Sequence, residues 1–183
     1  KATEHGVISI HGNDLEQVED YKYLGTTISK SLDWSDNVKS LQKKANKRLY
    51  FVRTLKKLRV DRTLIVLFYK SLIQSVLSYN IVCYFANAKK DDLKKLSKPF
   101  KIVQRILGID LPPLEDLYQE RVFAKLKQVM NDPSHPLNEN FNFNRSGIRL
   151  CPPRTQTTRF RQSFVPNAIH LFNSQVRRSA SQT

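Results

Sequence analysis

Few side chains in this sequence are placed to do covalent or metal chemistry. Asp91-Asp92 is the carboxylate doublet with the look of a two-metal site, and His5, His11, His135, His170, Cys83 and Cys151 are the other potential ligands or nucleophiles. A two-metal centre needs carboxylates converging from rigid elements. This doublet instead follows Lys89-Lys90 at an expected helix start, where acids complement the helix dipole. The histidines are isolated, with no HExxH pair, and His135 lies among turn formers, where a loop hydrogen bond is the expected role. The two cysteines stand 68 positions apart with no CxxC spacing, which makes neither a zinc knuckle nor a disulfide framework and suits a reducing compartment. No GxxxxGK[ST], GxGxxG or GxSxG occurs among only five glycines, so phosphate-cradling loops and nucleophile elbows are not expected. The expectation is a chain with no catalytic residues and no metal site of its own.

What the sequence does offer is positive charge. Lys and Arg number 31 against 16 Asp and Glu, a formal +15 over 183 residues. Small domains ordinarily carry a net charge of roughly 2–8, so this excess points to a polyanionic partner. The charge comes in blocks. Residues 1–36 hold three basic and seven acidic residues, whereas residues 37–62 hold ten basic residues and Asp61 alone. Lys70 is the single charge in 63–88, seven basic and two acidic residues follow in 89–105, and 106–139 is mildly acidic. Residues 140–183 carry seven arginines and no acid. Lys39, Lys43 and Lys47 recur at every fourth position and are continued by Tyr50, Thr54 and Lys57, so a helix would line them up on one face. Like charges at that spacing cost about a few tenths of a kcal/mol per pair, a cost that bound phosphates would remove. The candidate nucleic-acid-binding set is therefore Lys39, Lys43, Lys44, Lys47, Arg48, Arg53, Lys56 and Lys57, joined by Arg159 and Arg161.

Stepwise along the chain, residues 7–10 and 15–18 flank the turn chemistry of His11-Gly12-Asn13-Asp14, and residues 21–28 (YKYLGTTI) read as a third strand interrupted at Gly25. Asp33 or Ser35 is the expected N-cap of a long helix ending near Leu58, with Val38, Leu41, Ala45, Leu49 and Val52 on its apolar stripe. Residues 64–86 are long enough to span a bilayer. Lys70, Ser71, Gln74, Ser75 and Ser78 fall on one side and Phe68, Leu72, Ile73, Val76 and Tyr79 on the other. A mid-span lysine costs about 2.5–3.5 kcal/mol on insertion scales, which favours a core helix with no membrane span. A third helix is expected over 91–107, kinked at Pro99 and stopped by Gly108, and a fourth over 114–130. Residues 131–159 read as an irregular linker, and 163–176 as a short terminal helix docking through Phe164, Ile169 and Phe172.

The fold class expected is mainly α. A small N-terminal β-hairpin or strand corner (1–32) leads to a four-helix bundle (33–130) and an irregular Arg-rich C-terminal segment (131–183). With Met130 the sole methionine and no signal-peptide pattern at the start, the expectation is a fragment of an intracellular protein, nuclear or cytoplasmic and not secreted.

The string Tyr21-Lys22-Tyr23-Leu24-Gly25-Thr26, followed by Leu32-Asp33-Trp34, resembles the downstream part of non-LTR (LINE-type) retrotransposon reverse transcriptases. So do Lys1-Ala2-Thr3-Glu4, the Leu107-Gly108 helix end, residues 132–137 (DPSHPL), residues 161–169 (RQSFVPNAI) and Leu171-Phe172-Asn173, in that family's order. The resemblance implies a palm edge with Tyr23, Leu24 and Gly25 as primer-grip-like residues, a thumb-like helical bundle and a C-terminal segment. The family's catalytic aspartates would lie upstream of Lys1. On this reading the chain is no enzyme and needs no cofactor, Mg2+ belonging to an intact parent polymerase. It would bind RNA, DNA or an RNA–DNA hybrid at low sequence specificity, alongside the missing palm domain or another protein partner. The same YLG, LxW and basic-helix stretch is also similar to the N-terminal segment of AlkB-homologue tRNA-modifying proteins. No HxD…H iron triad or glycine-rich methyltransferase loop accompanies it. The alternative function is a helical protein-interaction module that docks through the apolar helix of residues 64–85.

Overall fold

Glycine and charge patterning near the start of the chain produce two tight hairpins rather than three strands. The computed structural model describes residues 8–181; Lys1-Ala2-Thr3-Glu4 and Val7 lie outside them. Strand β1 (Ser9–Ile10) pairs antiparallel with β2 (Asn13–Asp14) across His11-Gly12. The turn thus uses only two of the four expected residues, and residues 15–18 form no strand. The stretch expected as a single strand folds back on itself as β3 (Asp20–Tyr23) and β4 (Thr26–Ser29). Leu24 at φ +45° and Gly25 at φ +84° make its turn. A two-residue turn with both residues left-handed matches the twist of the flanking strands. Because it consumes an even number of residues, it leaves the side-chain alternation unbroken, so the pattern looked like one strand.

Helix α1 (Ser35–Lys57) starts at Trp34, with the Asp33 carboxylate accepting the Ser35 N–H at 2.8 Å, and ends at Leu58. Its buried stripe contains Val38, Leu41, Ala45, Leu49 and Val52, as the periodicity requires. The apolar run that follows is not one helix. It comprises α2 (Arg62–Phe68), a π-helical turn (Tyr69–Gln74), α3 (Ser75–Ser78) and α4 (Ile81–Tyr84), with a break at Tyr79-Asn80 where Asn80 is left-handed. The inward stripe is Ile65, Tyr69, Ile73, Leu77 and Ile81, one residue in four. The expected stripe of Phe68, Leu72, Ile73, Val76 and Tyr79 assumed 3.6 residues per turn; of these only Ile73 is fully buried. A π turn holds more residues than an α turn, and this one keeps the four-residue spacing pointed at the core. By length and composition alone the run Arg62–Tyr84 is apolar enough to cross a membrane. Here its inward stripe packs on α1 and on α5 (Lys90–Leu107), with the Tyr69 and Phe100 rings edge to face at 6.0 Å.

α1 and α5 are the central pair and run parallel. At their shared start Ser35 Oγ donates to Asp92 Oδ2 at 2.6 Å and Lys89 Nζ to Asp33 Oδ2 at 2.5 Å; at the other end Arg62 reaches the Gly108 carbonyl at 2.9 Å. Helix α5 continues through Pro99 and stops at left-handed Gly108. Helix α6 (Leu114–Met130) packs on α4 and on the chain's end. The C-terminal segment is more ordered than an irregular tail. After a short α7 (Thr158–Arg161) it forms α8 (Phe164–Ala180), which lies against α6 with Ala168 and Ile169 buried. The Asn173 amide holds the Leu150 backbone through two 2.9 Å hydrogen bonds, so the preceding loop is pinned as well. The architecture is mainly α, with a small N-terminal β corner.

Candidate nucleic-acid interface

Burying one face of α1 leaves the opposite face to its charges. Lys39, Lys43 and Lys47 are exposed on it, about 6 Å apart along the axis. Tyr50, 64% exposed, stands on the same line, followed by half-buried Thr54 and by Lys57. From Lys39 to Lys57 the row is about 27 Å long, close to eight base steps of a duplex. An exposed aromatic within a cationic row is the pairing that holds bases by stacking and backbone by charge.

The structure distributes the remaining candidates over other faces. Arg48 turns toward the π turn and donates to the Leu72 carbonyl, and Lys44 lies half-buried on the same edge of α1. Arg53 and Lys56 fall off the row by helical register, and both are exposed. Arg159 Nη2 is spent on the Ser31 carbonyl at 2.9 Å, which ties α7 to the turn before α1, and Arg161 is exposed beside it. Lys39 itself is paired with Asp36 at 2.7 Å. Lys43, Lys47 and Lys57 have no ion-pair partner among the described residues.

A second row went unrecognised in the sequence. Lys94, Lys98, Lys101 and Arg105 are exposed on the outward face of α5. Their i, i+4, i+7, i+11 spacing is the sequence signal for this face, as it is for the α1 row. Asp91 pairs with Lys94 at 3.2 Å, leaving Lys98, Lys101 and Arg105 without an ion pair among the described residues.

Between the two helix starts lies a compact ionic knot. The Lys89 ammonium, with Ser35 donors, holds the Asp33 carboxyl well below the usual carboxylate range. Asp92, 4% exposed, is likewise lowered by Lys95 at 2.8 Å and by the Ser35 hydroxyl. Asp91-Asp92 therefore serves the helix start and its lysines, and no group of three or more His, Cys, Asp or Glu gathers as a metal site among the described residues. Because both folded-state pKa values are depressed, the unfolded chain takes up protons first as the pH falls. Stability is thus expected to be full above about pH 4 and to decline through the carboxylate range below it. Thermal melts between pH 6 and pH 3 should show an apparent Tm falling faster for this chain than for Asp92→Asn, which has already lost part of the knot.

The primer-grip-like residues form the exposed tip of the second hairpin. The tip is clamped to the helix break: Tyr79 Oη donates to the Leu24 carbonyl at 2.7 Å and Asn80 Nδ2 to Thr26 Oγ1 at 3.1 Å. Leu24 is 71% exposed while held at positive φ, a costly conformation for a branched side chain. Leu24→Asn keeps the turn and removes that strain, so it should stabilise the fold by about 1 kcal/mol, read as a raised denaturant midpoint. His135, by contrast, is a loop residue whose Nδ1 accepts the Leu137 N–H at 3.1 Å. Cys83 reaches the surface, and partial desolvation pushes its thiol up.

The site is thus a helical pair with a cationic row on each outer face and, at one end, a hairpin clamped by Tyr79 and Asn80. The family model for the N-terminal segment of the alkylated DNA repair protein alkB homolog 8 matches residues 34–75, from Trp34 through α1 and α2 to the end of the π turn. That similarity covers under a quarter of the chain and includes the whole α1 row. No curated protein and no solved structure matched the chain. The reverse-transcriptase resemblance finds no support in these comparisons.

Proposed function

We propose that this chain is a non-catalytic helical docking module that holds a nucleic-acid backbone on the outward row of α1, with the α5 row as a second point of contact. The observation that carries the reading is the row itself: Lys43, Lys47 and Lys57 exposed and unpaired in line with Tyr50. Lysines act on phosphates as point charges and do not read bases. The matching family segment belongs to a protein named for repair of alkylated DNA, and an accessory helical hairpin of such a protein would meet the same ligand class. Non-specific protein–nucleic acid contacts of this kind have a Kd of about 10⁻⁴–10⁻⁶ M at physiological salt. Fluorescence-anisotropy titrations with two duplexes of unrelated sequence should agree within about threefold, since the contacts are to backbone. A much larger preference for one sequence would contradict backbone binding. Lys98→Glu/Lys101→Glu/Arg105→Glu should weaken both equally, and no effect would remove α5 from the interface.

A second reading keeps the reverse-transcriptase resemblance. It is favoured by the strained, clamped tip at Leu24-Gly25, since strain held in place by surrounding structure concentrates at functional turns. On that reading the ligand is a primer–template hybrid and the tip faces the primer end. A hybrid-over-DNA preference that Tyr79→Phe abolishes would distinguish it from the first.

A further inference from the structure

We infer that the outer face of the α1–α2 hairpin is a docking site for an acidic amphipathic helix of a partner protein. The face adjoins the end of the lysine row, with Phe51 one turn beyond Lys47 and its ring 5.6 Å from that of Tyr50. Phe51 of α1 meets Phe68 of α2 with ring centroids 6.3 Å apart, and Leu58, Leu64 and Leu67 beside them are 70%, 57% and 60% exposed. Leu64, Leu67 and Phe68 have helical spacing and continue into Ser71 and Ser75. Both serine hydroxyls are turned back onto their own helix, bonding the carbonyls of Leu67 and Ser71, so the face presents little free polar capacity to water. Leucines and an aromatic pair left in the open at this density mark a surface that another apolar element covers.

Charge complementarity selects the occupant. Exposed Lys57, Arg59 and Lys70 and half-buried Lys44 flank the face in the sequence, and the one acid nearby, Asp61, is engaged in capping α2 through the Thr63 N–H at 2.8 Å. A second copy of this +15 chain would bring the same cations against them. A helix with a leucine stripe flanked by Asp and Glu buries the apolar face and neutralises these cations together, the geometry by which amphipathic helices dock on helical surfaces. The site borders the lysine row: it shares Lys57 with it, and the Phe51 ring meets that of Tyr50 edge to face at 5.6 Å, but its apolar contacts use neither Lys39, Lys43 nor Lys47.

The test uses the full chain and a labelled 21-residue amphipathic peptide with leucines on one face and glutamates on the other. A peptide with lysines in place of the glutamates is the control, and phosphatidylserine vesicles form a separate arm. The acidic peptide should bind, the lysine peptide should not, and Leu64→Glu/Leu67→Glu should weaken binding at least about tenfold by removing buried apolar contact. Both positions are exposed, so circular dichroism should show unchanged helix content in this variant. Lys98→Glu/Lys101→Glu/Arg105→Glu should retain peptide affinity within about threefold, as its charges lie on α5, away from the α1–α2 face. No binding of the acidic peptide, equal binding by the leucine variant, or vesicle capture that Leu64→Glu/Leu67→Glu abolishes while peptide binding persists would each overturn the assignment.

Discussion

Lys39→Glu/Lys43→Glu/Lys47→Glu is expected to lower affinity for a nucleic-acid duplex by at least about a hundredfold while leaving helix content unchanged. Non-specific binding near 10⁻⁵ M spread over six to eight phosphates is worth about 1 kcal/mol per contact. Reversing three charges removes three such contacts and adds repulsion at each. The side chains point away from the core stripe of Val38, Leu41, Ala45, Leu49 and Val52, so the fold has no reason to suffer. The three changes are not equivalent. Lys39 is already engaged by Asp36, so Lys43→Glu and Lys47→Glu singly should cost more affinity than Lys39→Glu. Equal losses at all three would mean that the Asp36 pair opens when ligand binds.

Tyr84→Ala should be the most destabilising single change among those considered, by about 3–5 kcal/mol, the range for truncating a buried aromatic. Tyr84 is fully buried, its ring lies 6.4 Å from that of Trp34, and its hydroxyl donates to the Leu77 carbonyl at 2.5 Å. That bond crosses the Tyr79-Asn80 break and ties α4 to α3. Tyr84→Phe keeps the ring but leaves a buried carbonyl short of its donor, at a cost of about 1–3 kcal/mol. Tyr69 is the internal control. It too is fully buried, packed on Phe100, but its hydroxyl has no hydrogen-bond partner among the described residues. Tyr69→Phe should therefore be near neutral. Urea midpoints for the Phe variants would check this, and equal costs at both positions would show that the Tyr84 bond contributes nothing.

The helices were legible wherever packing follows the 3.6-residue period. The stripe of α1, the bounds of α6 and the glycine stop of α5 all follow from local chemistry that needs no partner. The run from Arg62 to Tyr84 was misjudged in its facing residues because its period is four, and only the surrounding core shows that a π turn maintains it. The hairpin at Leu24-Gly25 was hidden for a related reason. Leucine is a poor residue for positive φ, and what holds the turn, the Tyr79 hydroxyl on Leu24 and the Asn80 amide on Thr26, comes from 55 and 54 residues further along the chain. The candidate site was half visible. The α1 row could be read from spacing, and the α5 row had the same signal and was passed over. The diversion of Arg48 and Arg159 onto backbone carbonyls depends on tertiary contacts that spacing does not encode.

The central claim, that the outward row of α1 holds a phosphate backbone, is tested most directly by titrating the full chain against an RNA–DNA hybrid at salt concentrations from 50 to 200 mM. A linear log–log plot is expected with a slope of about −5 or steeper, reduced by about one unit for each of Lys43 and Lys47 replaced. A flat plot, or a steep one unchanged by those replacements, would contradict it.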